Sequence, residues 1–134
     1  MTTQIFVNLP VADLEKAKDF YTRLGYTVNE QFTDENASAI VISDAIHVML
    51  LTRDFFSQFT GKDLADTATT VAVINALSVD SREAVDALVD LAVAAGGSET
   101  RTAQDEGWMY SRAFADPDGH QWESLYMDAS AAEG

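Results

Sequence analysis

The order of elements along this 134-residue chain predicts an α+β fold: two tandem βαβββ modules whose mixed sheets form a curved cup, with the helices on the outer face. Three observations carry the prediction. A strand, a helix and three strands occur in the same order twice. Short segments match at corresponding places, Leu9-x-Val11 with Leu77-x-Val79 before each helix, and His47-Val-Met-Leu50 with His120-Gln-Trp-Glu123 on each last strand. Finally, Asp116-Pro117-Asp118-Gly119 is a turn with a mechanism. Proline presets φ, Asp accepts local backbone hydrogen bonds, and glycine takes the left-handed conformation without steric cost. Each unit has too little sheet to bury its own helix well, so two are expected to pair and share a surface.

The first module spans about 3–52. Gln4 to Leu9 alternates loosely and stops at Pro10, as a strand ending in a turn does. Asp13 suits the N-cap of a helix over 14–24, in which Leu14, Ala17, Tyr21 and Leu24 share a face and Gly25 is the stop. Tyr26 to Thr33 reads as a strand, and 38–42 with 46–52 as a hairpin around Ser43-Asp44-Ala45. A connector follows over about 53–70. Its Phe55, Phe56 and Phe59 suit one face of a short helix, expected to be at least partly buried.

The second module spans about 71–127. Val71 to Leu77 is a β-branched, apolar strand. Asp80-Ser-Arg-Glu83 has the form of a capping box, and Ala84, Leu88, Leu91 and Ala95 give a helix its apolar face before Gly96-Gly97. Strands are expected at 98–103, 108–115 and 120–127, with a frayed tail at 128–134.

Composition narrows the partners. The formal net charge is -14, from 22 acids against 8 bases, the wrong sign for nucleic acid or anionic membranes. Such a charge keeps a surface soluble and would also draw cationic ligands to a cup. There are no cysteines, so no disulfide or thiolate site, and a reducing, cytoplasmic setting is expected. Met1-Thr-Thr-Gln4 lacks the basic region of a signal peptide. No apolar run approaches the ~20 residues that span a bilayer.

Val11-x-Asp13-Leu14 leading to Phe20-Tyr21-x-x-Leu24-Gly25, and Asp116-Pro-Asp-Gly-x-x-x-Glu123, resemble the glyoxalase/bleomycin-resistance/dioxygenase superfamily, the vicinal oxygen chelate proteins. Phe32-Thr-Asp-Glu35 with Val41-Ile-Ser43 and Val48-Met-Leu-Leu-Thr52 is similar to a branch labelled predicted lactoylglutathione lyase. The resemblance implies a βαβββ cup, a homodimer and, in the family's enzymes, a divalent metal that chelates adjacent substrate oxygens. Carried over, the family's ligand positions fall on Phe6, Leu50, Ile74 and Glu123. Three of these cannot coordinate a metal, so no metal or other cofactor is expected.

By strand parity, Phe6, Asn8, Val48, Leu50, Ile74, Ala113, Gln121 and Glu123 are the candidate ligand-binding residues of the cup, and Glu123 the candidate catalytic one. His47 and His120 lie three positions before cup positions, and an odd separation points them to the opposite face. The composition suits a small, partly apolar ligand. Two alternatives stand beside that binder: an isomerase or other acid-base enzyme using Glu123, and a dimeric interaction module with a filled cup. The closing turn decides what Glu123 faces. A three-residue loop sets Ala113 opposite Glu123, Ser111 opposite Leu125 and Ala115 opposite Gln121; a two-residue loop would set Arg112 there.

Overall fold

A computed structural model describes residues 2–128 and 130. The chain divides into two compact units, one ending at Asp66 and the other beginning at Thr67. In the first, strand β1 (Ile5–Val11) leads to helix α1 (Leu14–Arg23), then β2 (Thr27–Asn29), β3 (Ala37–Val41) and β4 (Ile46–Thr52), followed by the short helix α2 (Arg53–Ser57). In the second, β5 (Ile74–Ser78) leads to α3 (Arg82–Ala94), then β6 (Ser98–Asp105), β7 (Met109–Ala115) and β8 (Gln121–Met127). Each unit is one open four-stranded sheet, ordered β1-β4-β3-β2 and β5-β8-β7-β6. The first strand lies parallel to the last in both, and the remaining pairs are antiparallel.

Helix α1 starts where Asp13 accepts from the Lys16 amide, satisfying one of the donors a helix leaves open at its N-terminus. Its buried face is Ala17, Phe20 and Tyr21, packed on β3 and β4. Against them lie Leu9, Val11, Ile40, Val48 and Leu50, all buried. Full burial of a side chain such as Phe20 contributes roughly 1.5–3 kcal/mol. The cap of α3 is Ser81, which accepts from the Ala84 amide, one residue beyond the expected Asp80. Helix α3 covers its own sheet with Val85, Leu88, Val89 and Ala92, above buried Leu77, Phe114 and Trp122.

Several stretches differ from expectation. The strand expected from Val71 begins at Ile74, and α3 buries Val85, Val89 and Ala92 with Leu88, while Leu91, expected on that face, is 45% exposed. The strand expected over 26–33 stops at Asn29, whose side chain accepts from the Gln31 amide and starts a 3-10 turn over Glu30–Phe32. The phenylalanines of the connector are unequal: Phe55 and Phe56 are half-buried, while Phe59 is 69% exposed. Of the tail expected at 128–134, only residues 128 and 130 are described; the Asp128 amide donates to the Trp108 carbonyl at 2.7 Å.

The closing turn has the three-residue form. Asp116 N–H donates to the His120 carbonyl at 2.9 Å, and Gly119 N–H to the Asp116 carbonyl at 2.9 Å. Gly119 takes φ +91°, and a Cβ there would fall 2.2 Å from the Thr67 carbonyl oxygen. Only glycine fits.

Candidate functional site

Strand register decides which side chains each sheet presents away from its helix. On β1, Phe6 pairs with His47 and Asn8 with Met49, while Leu9 pairs with Leu50. Phe6, Asn8, His47 and Met49 therefore share the exposed face, joined by Ala39 opposite Met49. Val48 and Leu50 do not belong there. Both are 0% exposed, on the face covered by α1. The parity reading that grouped them with Phe6 fails because paired residues of parallel strands share a face, and Phe6 pairs with an odd-numbered residue of β4. The same register overturns the expected orientation of His47. Its ring stacks on Phe6, centroids 4.7 Å apart and planes 11° from parallel. Gln4 Nε2 lies 3.4 Å from its Nε2.

These residues line an open depression of about 580 Å³, with Gln4, Phe6, Asn29, Phe32, His47 and Met49 around it. Phe6 is 51% exposed and Phe32 62%, so two aromatic faces are offered without cover. A second depression of about 410 Å³ shares Met49 and is walled by Leu51, Phe55, Phe56 and Phe59, the last stacked edge-on to Phe55 at 5.1 Å. Apolar walls with a few amide and imidazole groups are the usual make-up of a small-molecule site.

On the second sheet, Ala113 lies opposite Glu123, Ala115 opposite Gln121 and Ser111 opposite Leu125, the register the turn chemistry predicts. Ile74 pairs with Gln121 and Ala76 with Glu123, so Ile74, Ala113, Gln121 and Glu123 share one face. His120 is buried beside the turn, at 9% exposure. Glu123 does not stand alone. Arg101 Nη2 donates to its Oε1 and to Ser111 Oγ at 3.0 Å, and Nη1 donates to the Thr102 carbonyl at 3.1 Å. A base role for Glu123 would thus fall to Oε2. Arg112, the partner a shorter loop would have supplied, is on the helix side. It binds Glu99, Asp86 and Asp90 at 3.0–3.1 Å.

Sequence alternation misses Arg101 for a definable reason. Glu99 pairs with Phe114 and Arg101 with Ala113, so two residues of advance on β6 match one on β7. That bulge flips Arg101 from the face of Glu99 to the face of Glu123, the kind of re-aiming bulges produce. No glycine or proline marks it.

Hairpin register also locates the counterpart of Glu123 in the first sheet. Ala113 faces Glu123 as Ala39 faces Met49, so the equivalent residue is Met49, one before the expected Leu50. The four equivalent positions are then Phe6, Met49, Ile74 and Glu123. Phenyl and alkyl groups do not ligate, a thioether is too soft for a site built for oxygen chelation, and the one carboxylate is held by Arg101. This donor set does not fit a divalent metal. Among the described residues, no three His, Cys, Asp or Glu side chains converge on a common point.

The paired βαβββ order and the position of these faces define the class as that of the vicinal oxygen chelate fold. The chain belongs to the Glyoxalase/Bleomycin resistance protein/Dioxygenase superfamily, whose model matches residues 4–124. Among solved structures it is similar to a hypothetical protein from S. aureus, at 29% identity and TM-score 0.79 over 94% of each chain. A glyoxalase-related enzyme from Fulvimarina pelagi gives 22% identity and TM-score 0.79, covering 94% of this chain and 88% of that one. A bleomycin resistance determinant encoded on the transposon Tn5 gives 21% and 0.65, covering 95% and 99%. Identities this low show the fold alone. Among curated proteins, none matches the chain. No helix among the described residues is long and apolar enough to cross a membrane.

Proposed function

We propose that this chain is a metal-independent, cytoplasmic binding protein that takes a small, partly apolar molecule on the exposed face of its first sheet. The observation that carries the reading is the uncovered aromatic depression around Phe6, Phe32, His47 and Met49. Phe6 and His47, stacked nearly parallel, suit a further offset or edge-on aromatic ring, while Gln4 and Asn29 supply amide groups at the rim. The reading includes a homodimer, since Phe59, Val71, Val73 and Ile74 are each more than half exposed and apolar side chains in such number call for a partner.

The test is a fragment screen by protein-observed NMR, run first with a chelator present and then, after the chelator is removed, with added metal. Aromatic fragments are expected to move the amide signals of Phe6, His47 and Met49, and Phe6→Ala is expected to weaken the best of them about tenfold or more, the loss of one stacked aromatic contact and its buried area. Hits that appear only after zinc, nickel or manganese is added would defeat the reading. Light scattering of the same sample reports the subunit count.

A further inference from the structure

The second sheet carries a recognition element that the first lacks. Arg101 has five N–H donors, and three are committed, to Ser111, Glu123 and the Thr102 carbonyl. Its Nε–H and one Nη1–H have no partner among the described residues. Glu123 uses Oε1 for the pair, and its Oε2 has no partner among the described residues. The two side chains are 34% and 30% exposed. Two unused donors and an unused acceptor therefore belong to one partly exposed ion pair, on a face that also carries Ala76, Ala113, Ile74 and Gln121. Arg112, by contrast, spends Nε, Nη1 and Nη2 on three carboxylates.

We infer that Arg101 and Glu123 together form a binding site for a neutral carboxamide-like group, such as a primary amide, lactam or urea. The arginine donates to the ligand's carbonyl oxygen and Glu123 Oε2 accepts from its N–H. The chemistry favours this class over a charged one. The pair is already neutral overall, so an anion meets Glu123 and a cation meets Arg101, each a like charge at contact. A group that offers one acceptor beside one donor satisfies both at once, with charge-assisted bonds on each side. The small side chain of Ala113, directly opposite Glu123, leaves room for it. Ser111 and the bulge in β6 are positioning features: the bulge turns Arg101 to this face and the hydroxyl holds its Nη2.

Three matched probes separate the possibilities. Benzamide offers acceptor and donor, benzoate only acceptors with a negative charge, and benzamidine only donors with a positive charge. Each is titrated into ¹⁵N-labelled protein with a chelator present. Benzamide is expected to bind tightest and to shift the amides of Arg101, Ala113 and Glu123, with Arg101→Gln and Glu123→Gln each weakening it about tenfold, as loss of a hydrogen bond to a charged group does. Should R101Q fail to fold, Arg101→Lys carries the test, because an ammonium has three donors and cannot serve Glu123, Ser111, the Thr102 carbonyl and a ligand together. Benzamidine ranking first and surviving at R101K or R101Q would reduce the site to a lone carboxylate, and benzoate ranking first would make it an anion site; either overturns the inference. Benzamide shifts confined to Phe6, His47 and Met49, or none at all near Arg101, also overturn it, while the first pattern leaves the reading of the first sheet standing.

Discussion

The two sheets share strand order, pairing and hairpin register, yet their open faces hold different chemistry. Where the first sheet has Met49, the second has Glu123; where the first has Phe6 and His47 in a stack, the second has Ile74 and Gln121 in register. The helix-facing sides diverge as well. Ser38 pairs with Leu50 as Arg112 pairs with Ser124, so a lone hydroxyl in one sheet occupies the place of a guanidinium bound to three carboxylates in the other. A duplicated backbone sets where side chains point. It does not set what they are, and here one copy presents an aromatic stack and the other an ion pair.

The largest break in the symmetry is at the hairpin turns. Gly119 and Ala45 are equivalent, each preceding the strand residue that closes the turn (His120 and Ile46). Gly119 has a positive φ, and among the described residues none other than glycine does. Gly119→Ala places a Cβ 2.2 Å from a backbone oxygen in a conformation L-residues avoid, and is expected to cost about 3 kcal/mol or more in urea unfolding. Ala45→Gly has no such conflict and is expected to cost only about 0.5–1 kcal/mol, through the added freedom of the unfolded chain. Equal effects at both positions would mean that the turns are built alike.

Next in size is the Arg112 cluster. The guanidinium is 15% exposed, but its carboxylates Glu99, Asp86 and Asp90 are 36%, 46% and 70% exposed, so water screens each pair. Arg112→Leu is expected to cost about 1–2 kcal/mol at neutral pH, after that discount. The cost should depend on pH in a definite direction. Arg112's hydrogen bond holds the Glu99 carboxyl below its ordinary value of 4.5. The Tyr110 hydroxyl, and after it Arg112, holds Asp86 below 3.8. A depressed folded value means stabilisation that is present above the unfolded value and lost as pH falls through the folded one. The gap between the parent and Arg112→Leu should therefore be widest near neutrality and narrow below about pH 4. A gap that stays constant from neutral pH to acid would show that Arg112 acts through packing alone.

Much of this was legible in the chain before the structure. The Asp13 cap, the Gly25 stop and the Asp116-Pro-Asp-Gly turn are local rules, and local rules carried the element order, the hairpin register and the facing of Glu123 toward Ala113. What was not legible depended on pairing between distant strands. Both faces of β4 are apolar enough that hydrophobicity could not choose between Val48-Leu50 and His47-Met49, and the choice rests on a parallel register with β1. The shared histidine misled the internal alignment: His120 closes its turn at the place of Ile46, not His47. Arg101 was hidden by a bulge between Glu99 and Arg101 that an alternation count passes over.

The smallest expected effect has the opposite sign from the other two. Ser38 is 1% exposed and its Oγ has no hydrogen-bond partner among the described residues, on the helix-facing side among Ile40, Val48 and Leu50. A buried hydroxyl left unpaired carries its desolvation penalty into the folded state. At the equivalent position, Arg112 reaches past the sheet to carboxylates on α3 and β6; a serine side chain is too short to find such a partner. Ser38→Ala removes the orphan oxygen, leaves a cavity smaller than a methylene, and keeps the backbone pairing with Leu50 intact. It should raise stability by roughly 0.5–1 kcal/mol in urea unfolding, the part of the penalty a mutational series usually returns. If Ser38→Ala instead lowers stability by a comparable amount, the hydroxyl has a partner after all, and the contrast with Arg112 is between two satisfied groups.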